Sequence, residues 1–128
     1  MERKIKVMVV DDEADFRQLM IYWLESKGYA AIEASGGEVA IKLAREEKPE
    51  VIFMDLRMPV MDGIETIKRI RQFDKEVPII VISAYVEDPS MSKVAPYGIS
   101  GLFYKGKDFN EGLSILESAL RTHKKLKG

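Results

Sequence analysis

Cysteine is missing from all 128 residues, which excludes disulfides, thiolate metal sites and a cysteine nucleophile. Neither sign of charge dominates. With 20 Lys and Arg against 21 Asp and Glu the net charge is -1, so no bulk field draws the chain to nucleic acid or to an anionic membrane, and direct contact with either is not expected. No apolar run approaches a membrane span, and the start of the chain is polar, with only a strand's length of apolar residues at 5–10 where a secretory signal would need more. A cytoplasmic protein is the expectation. Histidine occurs once, as His123 near the end of the last helical pattern, without the activating neighbour that phosphotransfer would need. What the chain does have is 46% hydrophobic and 32% charged residues, the balance of an ordinary globular protein, in a length that suits one domain over residues 1–128.

Apolar segments of strand length alternate with helical patterns. Residues 5–10 (IKVMVV) are rich in β-branched side chains and end abruptly in Asp11 and Asp12. Phe16, Leu19, Met20, Trp23 and Leu24 then recur as one helix face, which Gly28 stops. Residues 29–34 (YAAIEA) predict a second strand, and Val39, Ala40, Leu43 and Ala44 a helix closed by Pro49. Residues 51–54 (VIFM) predict the third strand, Ile64, Ile67 and Ile70 the third helix, and residues 78–83 (PIIVIS) a strand buried on both faces. Asp88 followed by Pro89 reads as an N-cap with proline at the first helical position, and Pro96 limits that helix to about two turns. Residues 102–104 (LFY) make a minimal fifth strand. Asp108 and Glu111 form a capping-box pattern ahead of a last helix whose inward face is Phe109, Leu113, Leu116 and Leu120, with Gly112 weakening its first turn. The lysine-rich end, Lys124 to Lys127, reads as a solvated terminus. Five strand-helix alternations imply right-handed crossovers and a doubly wound α/β fold with helices on both faces of a parallel sheet.

In such sheets ligands bind outside the carboxyl ends of the strands. The first strand there ends in Asp11 and Asp12, the third in Asp55, the fourth in Ser83 and the fifth in Lys105. Each residue has a plainer use, as a helix cap, a turn or a solvated charge, but together they gather three carboxylates, a hydroxyl and an ammonium on one rim. Packed carboxylates repel one another, and a hard cation such as Mg²⁺ relieves that repulsion. An aspartate beside such a cation can take up a phosphoryl group as an acyl phosphate.

Asp11-Asp12, the segment DLRMPVMDG from Asp55 to Gly63, Ser83-Ala84 and Lys105, in this order and spacing, resemble the receiver domain of two-component response regulators over nearly the whole chain. The resemblance implies a five-stranded flavodoxin-like sheet of order 2-1-3-4-5, in which Asp55 accepts a phosphoryl group from a histidine kinase or phosphotransfer protein. It implies that Asp11, Asp12, Asp55 and the backbone carbonyl of Arg57 arrange Mg²⁺, that Lys105 contacts the phosphoryl group, and that Ser83 moves towards it as the switch. Pro59 and Gly63 match the family's loop residues, and Arg57 and Tyr85 would flank the path of an attacking water.

Three positions depart from the family pattern. Gly106 follows Lys105 where a cis proline is usual, so a trans bond and a differently shaped loop are expected, with Lys107 a rival for the lysine's role. Leu102 occupies the usual aromatic switch position, which leaves Tyr104, two residues on and on the same strand face, as the aromatic able to substitute. The third is the short fourth helix, itself a candidate for carrying the signal. A phosphatase of the haloacid-dehalogenase type would want an acid two residues after its nucleophile, where this chain has Arg57. A phosphorylation-independent binding module would not need the full acidic set. A signalling phosphoacceptor, rather than an enzyme acting on a separate substrate, is therefore expected.

Overall fold

A computed structural model of the chain describes residues 3–85 and 87–127, the side chains of Lys124 to Lys127 lying outside the described residues. Strands β1 (Lys6–Val10), β2 (Ala30–Ala34), β3 (Val51–Asp55), β4 (Ile79–Ser83) and β5 (Gly101–Tyr104) form a parallel sheet in the order β2-β1-β3-β4-β5. Between and after them run α1 (Ala14–Ser26), α2 (Gly37–Glu47), α3 (Gly63–Arg71), α4 (Met91–Val94), a 3₁₀ turn (Ala95–Tyr97) and α5 (Phe109–Lys127). This is the doubly wound, flavodoxin-like sheet that the alternation implies.

Strand alternation divides the core in two. Met8, Val10, Ile52, Met54, Ile79 and Val81 face α2, α3 and α4, where Ala40, Ala44, Ile67, Ile70 and Val94 close over them. Val7, Val9, Phe53, Ile82 and Phe103 face the opposite way, against Met20 and Leu24 of α1 and Leu116 and Ala119 of α5. Every residue of β3 and β4 is buried, so neither strand shows a polar side until its last position. Full burial of one such Leu, Ile or Phe side chain stabilises by about 1.5–3 kcal/mol, enough for the centre of the sheet to hold the loops at its ends in fixed register.

Several expectations are corrected. Leu19 and Val39 lie outside the buried stripes of their helices, 57% and 45% exposed, because α1 turns Met20 and Leu24 fully inward and α2 turns Ala40 and Ala44. On α5 the inward set is Phe109, Leu116, Ala119 and Leu120 with Ile115, and Leu113 is not part of it. A Cβ at Gly112 would stand 3.3–3.5 Å from the Phe103 ring, close to ordinary contact, so α5 packs closely on that ring at this position. The cap of α5 also differs, since Asp108 Oδ1 accepts from Asn110 N–H at 2.9 Å while Glu111 N–H bonds the Asp108 carbonyl. Helix α4 begins at Met91, with Ser90 and not Asp88 at its N-cap, and is a single turn. Phe103 points into the core and Leu102 packs on the other face, as alternation requires.

The loop after β3 contains one strained residue. Val60 has φ 68° and is fully exposed, and Met61 N–H bonds the Pro59 carbonyl across it at 2.8 Å, which makes a γ-turn of the rarer, strained hand. A β-branched side chain gains nothing there and crowds its own backbone, at about 1–2 kcal/mol. Val60→Gly is expected to raise the urea midpoint by the equivalent of about 0.5–1 kcal/mol, the remainder being lost to glycine's greater freedom when unfolded. An unchanged or lower midpoint would show that the turn carries no strain.

Candidate functional site

The alternation that builds the core also aims the polar residues beyond it. Counting on from Val7 and Val9, from Phe53 and from Phe103, the side chains of Asp11, Asp55 and Lys105 fall on the α1/α5 side of the sheet. Ser83 has the opposite parity, with Ile79 and Val81, and falls on the α3/α4 side. Backbone bonds continue the ladder past the strand ends: Asp11 N–H to the Ala34 carbonyl at 3.2 Å and Lys105 N–H to the Ser83 carbonyl at 2.8 Å. Asp11 thus comes beside Asp55, and Lys105 reaches in from the neighbouring side.

Ligand oxygens of Asp11, Asp12 and Asp55 all lie within 4.8 Å of one another, with Asp11 and Asp55 buried and Asp12 exposed. Lys105 Nζ is 2.8 Å from Asp11 Oδ2 and 3.6 Å from Asp55 Oδ2, and it also pairs with Glu13. Burial pushes the Asp55 carboxyl up to about 6, and the charge of Asp11 pushes the same way, against the Arg57 N–H bond to Oδ1 (3.1 Å) and the Lys105 ammonium. Burial would lower Lys105, but its bonds to Asp11 and Glu13 and the charge of Asp55 prevail and raise it, so it stays a cation. One ammonium does not balance this much negative charge. The buried Oδ2 of Asp11 has that ion pair and no aligned hydrogen-bond donor, so it keeps coordinating capacity close to the oxygens of two other carboxylates. The donor set fits a small divalent cation with oxygen preference.

A cavity of about 180 Å³ opens over Asp55 between Glu13, Ser83, Tyr85, Asp88 and Lys105. It is large enough for a phosphoryl group. A wider cavity of about 700 Å³ lies at the opposite, amino ends of the strands, near Ile5, Phe73 and Leu120, and touches none of these groups.

The structure therefore brings Asp11, Asp12, Asp55 and Lys105 together, with Ser83 at the cavity's other wall. Lys107, the rival lysine, is exposed in the loop. Gly106 has φ 88°, a conformation closed to proline, and no cis bond occurs among the described residues, so the bond after Lys105 is trans as expected. Tyr104 is half-buried on the same strand face as Leu102. Two participants escaped sequence reasoning. Glu13 is the N-cap residue of α1 and pairs with Lys105. Asp88, expected as a helix cap, turns inward to Arg57, whose guanidinium also stacks 5.2 Å from the centre of the Tyr85 ring. A carboxylate directly after the Asp11-Asp12 pair was the one available hint for Glu13. For Asp88 no local signal exists, its partner being 31 residues away.

Residues 7–117 match the family model described as the response regulator receiver domain. Among curated proteins, the alkaline phosphatase synthesis transcriptional regulatory protein PhoP of Bacillus subtilis is 40% identical over 105 residues, 82% of this chain and 43% of its own length. Sporulation initiation phosphotransferase F of the same organism is 30% identical, over 83% of this chain and 86% of its own. The chain spans about half the length of the longer regulators it matches. Among solved structures, chemotaxis protein CheY4 of Vibrio cholerae superposes with a TM-score of 0.87 at 28% identity, covering 92% of this chain and all of its own.

Proposed function

The chain belongs to the response regulator receiver family, and from that premise we propose that it is a phosphoacceptor whose Asp55 takes a phosphoryl group from a histidine kinase or phosphotransfer protein. One observation carries the assignment: a buried carboxylate at a strand end, with two more carboxylates and an ammonium within reach in a cavity of phosphoryl size. Without a cation the Asp55 carboxyl, raised to about 6, is still mostly ionised at neutral pH, the form that attacks phosphorus. Its oxygen attacks phosphorus as the P–N bond to the donor imidazole breaks. The electron pair leaves with the imidazole, which takes a proton from solvent, and Asp55 becomes an acyl phosphate.

Asp11, Asp12, Asp55 and the carbonyl of Arg57 would hold Mg²⁺, which when bound neutralises charge on the phosphoryl oxygens. Lys105, held by Asp11 and Glu13, adds a positive charge 3.6 Å from Asp55 Oδ2. Ser83 offers a hydroxyl to the same oxygens, and Tyr104 or α4 carries the resulting change to a partner, Leu102 lacking a ring to do so. The chain promotes only its own phosphorylation and dephosphorylation and acts in the cytoplasm as one receiver unit over residues 1–128, by binding a protein partner or passing the phosphate on. Incubation with acetyl phosphate and Mg²⁺ is expected to add one phosphoryl mass, located on the peptide carrying Asp55, and to add none in EDTA. Label on another residue, or label indifferent to the cation, would overturn the assignment.

A further inference from the structure

Asp88 is the one buried carboxylate among the described residues that lies outside the acidic cluster, its side chain 1% exposed. Its Oδ1 accepts the Ser90 N–H at 2.9 Å. Arg57 grips it with both arms of its fork, Nη2 to Oδ1 at 2.9 Å and Nε to Oδ2 at 3.3 Å. The Ser83 hydroxyl lies 3.3 Å from the same Oδ2 and 2.9 Å from the Tyr85 carbonyl, while accepting the Tyr85 N–H at 3.1 Å. A hydroxyl has one proton. Here both acceptors in reach of it belong to the loop between β4 and α4, and neither belongs to Asp55.

Two donors bordering the Asp55 cavity, the Arg57 guanidinium and the Ser83 hydroxyl, are thus engaged by one carboxylate, which also fixes the start of the single-turn α4. We propose that Asp88 is a positioning residue that latches Arg57 and Ser83 away from Asp55 in the unphosphorylated protein, and that a phosphoryl group on Asp55 competes for both donors and releases the loop carrying Asp88. The inference rests on Asp55 being the phosphoacceptor. The latch is two-state for a physical reason: once Arg57 turns to the phosphoryl oxygens, Asp88 would remain a buried charge without its cation, a penalty that moving to solvent avoids. The movement meets little resistance, since α4 is four residues long and only Val94 of it is buried. By reciprocity, whatever phosphorylation gains by opening the latch, opening the latch returns to phosphorylation.

Asp88→Asn keeps the shape and an acceptor for Ser90 N–H but removes the charge that holds Arg57. Beryllofluoride with Mg²⁺ should bind this variant at least about five-fold more tightly than the native chain, the low end of ordinary coupling strengths, and acetyl phosphate should label it faster. Amide exchange over residues 87–94 should already be as fast as in the native chain with Asp55 occupied by beryllofluoride. In an Arg57→Ala background the Asp88→Asn gain in affinity should largely vanish, an outcome that general loosening of the loop would not produce. Equal affinity and unchanged exchange in Asp88→Asn would overturn the latch while leaving Asp55 as acceptor. Should the variant fail to fold, the native chain decides: protection of residues 87–94 that does not fall when beryllofluoride occupies Asp55 overturns it too. A native chain that binds neither phosphoryl nor beryllofluoride removes the acceptor reading itself, and the latch with it.

Discussion

Asp55→Asn is expected to take up no phosphoryl group and, in the absence of divalent cations, to be more stable than the native protein. The first effect follows from replacing the attacking carboxylate with an amide that cannot form the acyl phosphate. The second follows from the electrostatics of the empty cluster. A carboxyl whose folded-state pKa lies near 6, against 3.8 ordinarily, is one whose ionisation the fold opposes. Near pH 7.5 that opposition is on the order of 2–3 kcal/mol, and asparagine avoids it while still offering an oxygen to the Arg57 N–H. The sign with pH is fixed by linkage: between about 4 and 6 the folded native protein binds more protons than the unfolded chain, so its stability falls as pH rises through that window. The variant's advantage should be absent near pH 4, open through about 6, and stay level above. Saturating Mg²⁺ should reverse the order, because a cation bound by the native acidic set stabilises in proportion to its occupancy and the variant has lost one ligand. Urea unfolding in EDTA and in Mg²⁺, at three pH values, reads all of this. A variant no more stable than the native chain in EDTA at pH 7.5 would mean that the acidic cluster is not under repulsion.

That repulsion was legible in the sequence only because the fold was. Asp11, Asp55 and Lys105 are far apart in the chain, and what gathers them is the pairing of Val10 with Met54 and of Ser83 with Tyr104. The strands announce themselves through β-branched runs cut off by polar residues, so their ends, and the charges at those ends, could be placed from local pattern. The residues that were misread are those whose roles are set across elements. Asp88 before Pro89 has the local form of a helix cap, yet its carboxylate is claimed by Arg57 and the helix starts three residues later. Gly112 sits against the Phe103 ring, a contact between α5 and β5 that no local pattern shows. Leu19 and Val39 satisfy a 3.6-residue stripe, but such a stripe is wider than the face a neighbouring strand can cover.

The same logic singles out the glycine that closes the acceptor loop. A Cβ on Gly63 would stand 2.1 Å from the Asp55 carbonyl oxygen and 2.7 Å from the Leu56 Cα, and both are backbone atoms of a fully buried strand and its continuation. No side chain can turn aside to make room. The Gly63 N–H is also bound to the Leu56 carbonyl at 2.9 Å, so moving α3 outward breaks the bond that ends the loop. Gly63→Ala is therefore expected to cost more than about 3 kcal/mol, beyond the usual range for an added methyl group, because relief requires moving either β3 or α3. Since the strand atom in the way belongs to Asp55 itself, molecules that remain folded should also label more slowly with acetyl phosphate. Gly36→Ser makes the matching control: nothing lies within 4 Å of its Cβ position, its φ of -169° is ordinary extended backbone, and serine is a good residue at the N-cap of α2. That control should leave both stability and labelling close to native. Gly63→Ala with a native urea midpoint would mean that the loop after Asp55 is free to shift, and the rigid placing of the acceptor carboxylate would have to be abandoned.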